Sequence, residues 1–135
     1  MPKELTIMAF DFGTRRIGIA IGNTLTQAGQ PINTVEESSD EARFKVIEGL
    51  LKEWQPDRLV VGMPCHPDGT EHAMSAKARR FGNQLLGRFH LPVAWVDERY
   101  TSAVLEGDSH RHDNLDAQSA ALILEQYFLE KHWVS

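Results

Sequence analysis

The sequence predicts an α/β domain built on a mixed β-sheet with helices on both faces, and three observations carry that expectation. The chain opens with alternating hydrophobic residues, the period then switches to that of a helix, and strand-like and helix-like segments alternate from there onward. In order, Leu5 to Phe12 reads as a strand with Leu5, Ile7, Ala9 and Asp11 on one side. Ile17 to Gly22 reads as a second, its three isoleucines set against Gly18, Ala20 and Gly22. The short Gly13-Thr14-Arg15-Arg16 segment between them predicts an antiparallel hairpin. After a polar loop through Gly29 and Pro31, a weaker strand is expected around Ile32 to Glu36.

The first helix should begin at a capping box, Ser38-x-x-Glu41, and run with Phe44, Ile47, Leu51 and Trp54 on its inner face until Pro56. Arg58 to Gly62 reads as a short buried strand, and Asp68-Gly69 as a turn beyond it. A second helix is expected from about His72 to Phe89, with Met74, Ala78, Phe81, Leu85 and Phe89 facing inward. Val93 to Asp97 returns to extended chain, and a short helix and then a longer one, from Leu115 to about Lys131, should close the order. The opening hairpins favour antiparallel pairing, and the later strands, separated by helices, favour parallel pairing. No repeat or linker divides the chain, so 1–135 reads as one domain.

Composition narrows the class. A chain of 135 residues, 41% hydrophobic and 24% charged, has an ordinary globular composition, is large enough to bury a core, and contains no apolar run long enough to cross a bilayer. No N-terminal export signal is visible and the one cysteine, Cys65, forms no internal disulfide framework, which together suggest the cytoplasm. A net charge of −5 argues against a protein that coats nucleic acid through overall charge. From His72 to Val96, however, there is no acid, while Lys77, Arg79, Arg80 and Arg88 are present and fall largely off the apolar face of the second helix. That arrangement suits either a nucleic-acid backbone or a solvated helix face.

The acids are more informative. Asp11 shares the side of its strand with Ile7 and Ala9, where a carboxylate is costly unless it is paired, hydrogen-bonded or bound to a metal. Asp97 and Glu98 end another strand, and alternation sends their side chains to opposite faces, so one of the two at most readily joins Asp11. Asp116 lies in the first turn of the last helix. Carboxylates gathered in this way form an oxygen-only site for Mg²⁺ or Mn²⁺, of the kind that phosphodiester hydrolysis uses. Turn capping by Asp11, pairing of Asp97 or Glu98 with Arg99, and helix-terminal stabilisation by Asp116 are the structural alternatives.

Four ordered segments decide between these readings. They are Asp11-Phe12-Gly13-Thr14-Arg15-Arg16-Ile17-Gly18-Ile19-Ala20; Val61-Gly62-Met63-Pro64 with Asp68-Gly69-Thr70; Asp97-Glu98-Arg99-Tyr100-Thr101-Ser102; and Asp116-Ala117-Gln118-Ser119-Ala120-Ala121 with Ile123-Leu124-Glu125. Together, over nearly the whole chain, they resemble the YqgF (RuvX) family of pre-16S rRNA nucleases, also described as Holliday-junction-resolvase-like proteins. The resemblance implies a ribonuclease-H-like fold with five strands in the order 3-2-1-4-5. It further implies a cytoplasmic bacterial role at the 5′ end of 16S rRNA and a nuclease that leaves a 5′-phosphate and a 3′-hydroxyl. Carried over by position, Asp11, Glu98 and Asp116 would be both catalytic residues and ligands for Mg²⁺ or Mn²⁺.

This sequence departs from the family pattern before Asp116. The stretch Ser109-His110-Arg111-His112-Asp113-Asn114-Leu115 is short, and no lysine occurs between Lys77 and Lys131, a change that would leave the fold intact but weaken the grip on substrate or shift Asp116.

Arg15, Arg16, Arg79, Arg80 and Arg99 are candidate phosphate-binding residues. The implied partner is pre-16S rRNA or a pre-ribosomal particle, with branched DNA as the alternative, and the protein would act as a monomer or homodimer. Cys65, His66 and His72 lack the second ligand pair of a structural zinc site, and His110-x-His112 reads as a loop feature or a proton carrier. Trp54, Trp95 and Trp133 read as packing residues. A non-catalytic RNA- or ribosome-binding module is the competing class, and an actin-like nucleotide-binding half is disfavoured by the length of the chain.

Overall fold

The alternation that opens the chain is realised as a two-sided sheet. The computed structural model describes residues 4–37, 39–64, 73–97 and 112–130. Its elements run β1 (Thr6–Phe12), β2 (Ile17–Asn23), β3 (Gly29–Val35), α1 (Asp40–Trp54), β4 (Arg58–Met63), α2 (Ala73–Phe89), β5 (Val93–Asp97) and α3 (His112–Glu130). The five strands lie in the order β3-β2-β1-β4-β5. The pairs β1–β2 and β2–β3 are antiparallel, whereas β1–β4 and β4–β5 are parallel. This is the mixed sheet, in the order 3-2-1-4-5, that the sequence led us to expect.

Period-two alternation divides the core into two layers. Met8 and Phe10 of β1, Ile17, Ile19 and Ile21 of β2, and Leu59 and Val61 of β4 pack against Phe44, Ile47 and Leu51 of α1 and Ala78, Phe81 and Leu85 of α2. On the opposite face Ile7, Ala9, Val60 and Val96 meet Ile123, Leu124, Tyr127 and Phe128 of α3. Each large side chain so buried contributes about 1.5–3 kcal/mol. The lower end of this second layer is closed by Arg58, whose Nη1 donates to the Tyr127 hydroxyl at 3.3 Å. The edge strand β3 is tied to α3 by the Gly29 amide, which donates to Glu125 Oε2 at 3.2 Å.

The approach of α3 to β2 depends on the absence of side chains. A Cβ on Gly18 would lie 1.9 Å from the Asp116 carbonyl oxygen, and one on Gly22 would lie 2.9 Å from a Leu124 methyl carbon. Ala20, between them, packs with Ala120 and Ala121. The small residues alternating with isoleucine in β2 are thus a track for the helix. Gly82 plays a similar part on the other face, where it makes room for the Trp95 ring against α2.

Some boundaries differ from those the sequence suggested. The cap of α1 is Ser39, not Ser38: its side chain accepts from the Ala42 amide at 3.1 Å, so position 42 replaces the glutamate of the expected capping box. At the other end Gln55 takes a left-handed conformation (φ 47°) and donates its backbone N–H to Leu51, ending the helix before Pro56. Helix α3 begins at His112, ahead of its first strongly periodic apolar residues, and β3 begins earlier than expected because pairing with β2 extends to Gly29. The short helix expected before it falls outside the described residues.

The packing track and the exposed helix surface make a matched test. Gly18→Ala should destabilise the protein by about 1–3 kcal/mol through overpacking, or more if α3 separates from the sheet. Gly49→Ala, in α1 with nothing within 4 Å of the added Cβ, should stabilise it by about 0.5–1 kcal/mol. Urea unfolding of both variants checks this, and equal effects would contradict the close approach.

Candidate active site

The parallel strands β1, β4 and β5 all finish at one end of the sheet, and the N-terminal ends of the three helices lie there too. Helix α1 is fastened at that end by Arg43, which donates through Nη2 to the Thr14 carbonyl in the β1–β2 turn and through Nε to the Glu37 carbonyl at 2.9 Å. The first turn of α2 is tied to the exit of β4 by the Ser75 hydroxyl, which donates to the Pro64 carbonyl. For α3, the contact of Asp116 with Gly18 fixes the same orientation. Strand C-termini together with helix N-termini form an end of the molecule suited to anions.

Asp11 lies near the end of β1 on the α3 face, two residues beyond Ala9, and is half-buried. Its partner across the hairpin is Gly18. Because the backbone of Asp116 rests on the same Gly18, the two acids belong to one corner of the sheet. Asp116 is itself partly shielded, its side chain 30% exposed. Arg16 enters this corner from the turn: its Nη1 lies 4.0 Å from Asp116 Oδ2 and its Nε 3.4 Å from Glu36 Oε1.

The register separates the other two acids named by the sequence. Ala94 and Val96 face α3, whereas Val93 and Trp95 pack into the opposite layer. Continued alternation puts Asp97, opposite Met63, on the side away from Asp11. Glu98 lies outside the described residues, as do Arg99, Cys65, His66, His72, His110 and Trp133. Among the described residues no three histidine, cysteine or acidic side chains form a metal-binding group. The two acids whose backbones flank Gly18 supply oxygen donors alone, the donor type suited to a hard divalent cation such as Mg²⁺ or Mn²⁺.

The structure also divides the basic residues. Arg15 is exposed at the tip of the turn and Arg79 is exposed on α2, while Lys77 and Arg80 line a cleft of about 260 Å³ with Thr14, Asp40 and Arg43. Arg88 is held against the aromatic layer, its guanidinium 4.2 Å from the centre of the Phe44 ring. Since α2 covers the face opposite α3, its cations reach the acidic corner only around the β1–β2 turn. Arg43, which fastens that turn, is 5% exposed and went unnoticed in the sequence. Its signal was there: Arg43, Ile47 and Leu51 stand four residues apart on the inner face of α1.

Comparisons with known proteins agree with this architecture. The sequence matches the RuvX family, described as Holliday junction resolvase, over residues 5–130. It is 67% identical over 126 residues to a Polynucleobacter necessarius protein named "Putative pre-16S rRNA nuclease", covering 93% of this chain and 86% of that protein. A Paraburkholderia xenovorans protein of the same name is 51% identical, with 93% and 88% covered. Among solved structures, Thermus thermophilus RuvC in complex with a Holliday junction superposes with a TM-score of 0.58 at 15% identity, covering 94% of this chain and 95% of that one. The shared fold is ribonuclease-H-like.

The two arginines at the turn should differ in what they do for stability. Arg43→Met, which strips two carbonyls of their donor, should cost about 2–4 kcal/mol. Arg16→Met, which removes only exposed ion pairs, should cost less than about 1 kcal/mol. Chemical denaturation of the two variants measures the difference, and equal losses would contradict the fastening role of Arg43.

Proposed function

Because this chain belongs to the RuvX family of Holliday junction resolvases, we propose that it is a phosphodiester-hydrolysing nuclease that acts, as a single domain over residues 1–135, on the 5′ end of pre-16S rRNA. The observation that carries the proposal is the meeting of Asp11 and Asp116 at Gly18, at the end of the sheet where three helix N-termini converge. The naming of the relatives favours RNA. The description of the family favours branched DNA as the second substrate to test.

In this reading Asp11, Glu98 and Asp116 hold Mg²⁺ or Mn²⁺. A divalent cation held there would supply Lewis-acid chemistry, polarising the phosphodiester and making water a stronger nucleophile near neutral pH. The protein's own groups do the rest. Asp11 and Asp116 are positioned by backbone packing, so little reorganisation accompanies substrate binding. Arg16 bears a positive charge at the rim of the same corner, where it orients a phosphate oxygen and limits repulsion between substrate and carboxylates. Arg15, Arg79, Arg80 and Arg99 extend that grip along the backbone of the strand. The local concentration of cations resolves the difficulty posed by a net charge of −5, because association depends on the charge near the path of the strand. A cytoplasmic location belongs to this reading and is supported by the naming of the relatives as pre-16S rRNA nucleases; no helix among the described residues is long and apolar enough to cross a membrane.

Cleavage of matched pre-rRNA and four-way-junction substrates, with and without Mn²⁺, tests the proposal. Wild-type protein should shorten the 5′ end of the RNA only with metal present, and Asp11→Asn and Asp116→Asn should each lose at least about 100-fold in rate while keeping the circular dichroism of the fold. Unchanged cleavage in either variant would overturn the site. Cleavage of the junction alone would move the substrate to DNA.

A further inference from the structure

On the side of the sheet away from Asp11 and Asp116, the β1–β2 turn, the start of α1 and the first half of α2 enclose the cleft of about 260 Å³. Its aromatic floor is the half-buried Phe12, whose ring centre lies 5.0 Å from that of the buried Phe81 and 6.0 Å from the Arg43 guanidinium, with the buried Phe44 stacked on Phe81 beneath it. Lys77 and Arg80, one helical turn apart on α2 and both exposed, stand at its wall with Gln84 beyond them. Three cations, Arg43, Lys77 and Arg80, face one carboxylate, Asp40. Arg43 is already engaged with the Thr14 and Glu37 carbonyls, which leaves Lys77 and Arg80 as the exposed cations of the lining.

An aromatic floor with cations at the wall is the chemistry that receives a nucleotide, the base against the rings and the phosphate on the ammonium and guanidinium groups. The volume lies just below the roughly 300–1,000 Å³ usual for small-ligand sites, a size for one base and not for a base pair. Phe12 follows Asp11 directly in β1, and alternation points the two side chains to opposite faces. A strand whose phosphate lies at the acidic corner therefore needs only to pass over the β1–β2 turn to reach the cleft.

We propose that this cleft binds one unpaired nucleotide of single-stranded RNA next to the cleaved bond, with Lys77 and Arg80 on its phosphate and Phe12 against its base. The identity of the strand rests on the nuclease reading given above. The binding itself requires neither the acids nor a metal.

Fluorescence anisotropy with a labelled oligouridine decamer, in EDTA and over a range of salt, tests this without reading cleavage, so its result stands whether or not the chain proves to be a nuclease. Lys77→Ala/Arg80→Ala should weaken binding at least about 10-fold and reduce the magnitude of the log–log salt slope by about 1.4, two phosphate contacts' worth. A charge-matched variant, Lys45→Ala/Lys52→Ala, changes exposed lysines of α1 outside the cleft and should bind as wild type does. Phe12→Leu should weaken binding of the decamer by at least about 5-fold while leaving binding of a polyphosphate of equal charge unchanged. The proposal is overturned if the decamer does not bind, if the two double variants lose affinity equally, or if a blunt RNA duplex competes as well as the single strand.

Discussion

The close seating of α3 on β2 is the constraint on which the rest of the structure depends. Two glycines and an alanine on one face of a strand leave a shallow track for the helix, whose backbone at Asp116 lies against Gly18 and whose Leu124 side chain shares the space at Gly22 with the Ala28 carbonyl. Gly18 matters twice. It admits the Asp116 carbonyl, and through strand pairing it stands opposite Asp11. A packing requirement and a chemical one are therefore met by the same residue, and the acidic corner is held by backbone contact with no long side chain between its parts.

That seating also fixes the sense of the molecule. With the start of α3 at Gly18, and with α1 and α2 anchored at the same end by Arg43 and Ser75, three helix dipoles point toward the ends of the parallel strands. The sheet then keeps two kinds of chemistry apart. Asp11 and Asp116 lie on the α3 face, the cations of α2 lie on the other with Asp40 and Asp97, and the β1–β2 turn joins the two sides, with Arg16 toward Asp116 and Thr14 toward the cleft. An acidic protein can in this way carry a local group of cations that its overall charge does not announce.

Much of the fold was legible because the periods are clean. Ile17, Ile19 and Ile21 against Gly18, Ala20 and Gly22 described β2 and both its neighbours, and the spacing of Phe44, Ile47 and Leu51 described α1. The boundaries were less legible, since Ser38 and Ser39 are equivalent as helix caps until the backbone chooses one. The strand order came from the resemblance to a family, because periodicity reports which face a residue occupies and not which strand lies beside it. At the site, alternation placed Asp11 on the correct face and separated the two acids that end β5. It could not show that Asp116 would meet Gly18, a contact nearly a hundred residues apart in sequence. The spacing of Arg43 with Ile47 and Leu51 places it on the inner face of α1, but the carbonyls that make a charge tolerable there, supplied by the turn and by Glu37, are visible only in the fold.

The central claim is that Asp11 and Asp116 belong to one metal-binding site created by the contact of α3 with Gly18. Calorimetric titration with Mn²⁺ addresses it most directly. The account predicts that wild-type protein binds the ion and that Asp11→Asn and Asp116→Asn each weaken binding by a similar, large factor, with no further loss when the two are combined. Binding left at wild-type strength by either single substitution, or losses that simply add, would contradict it.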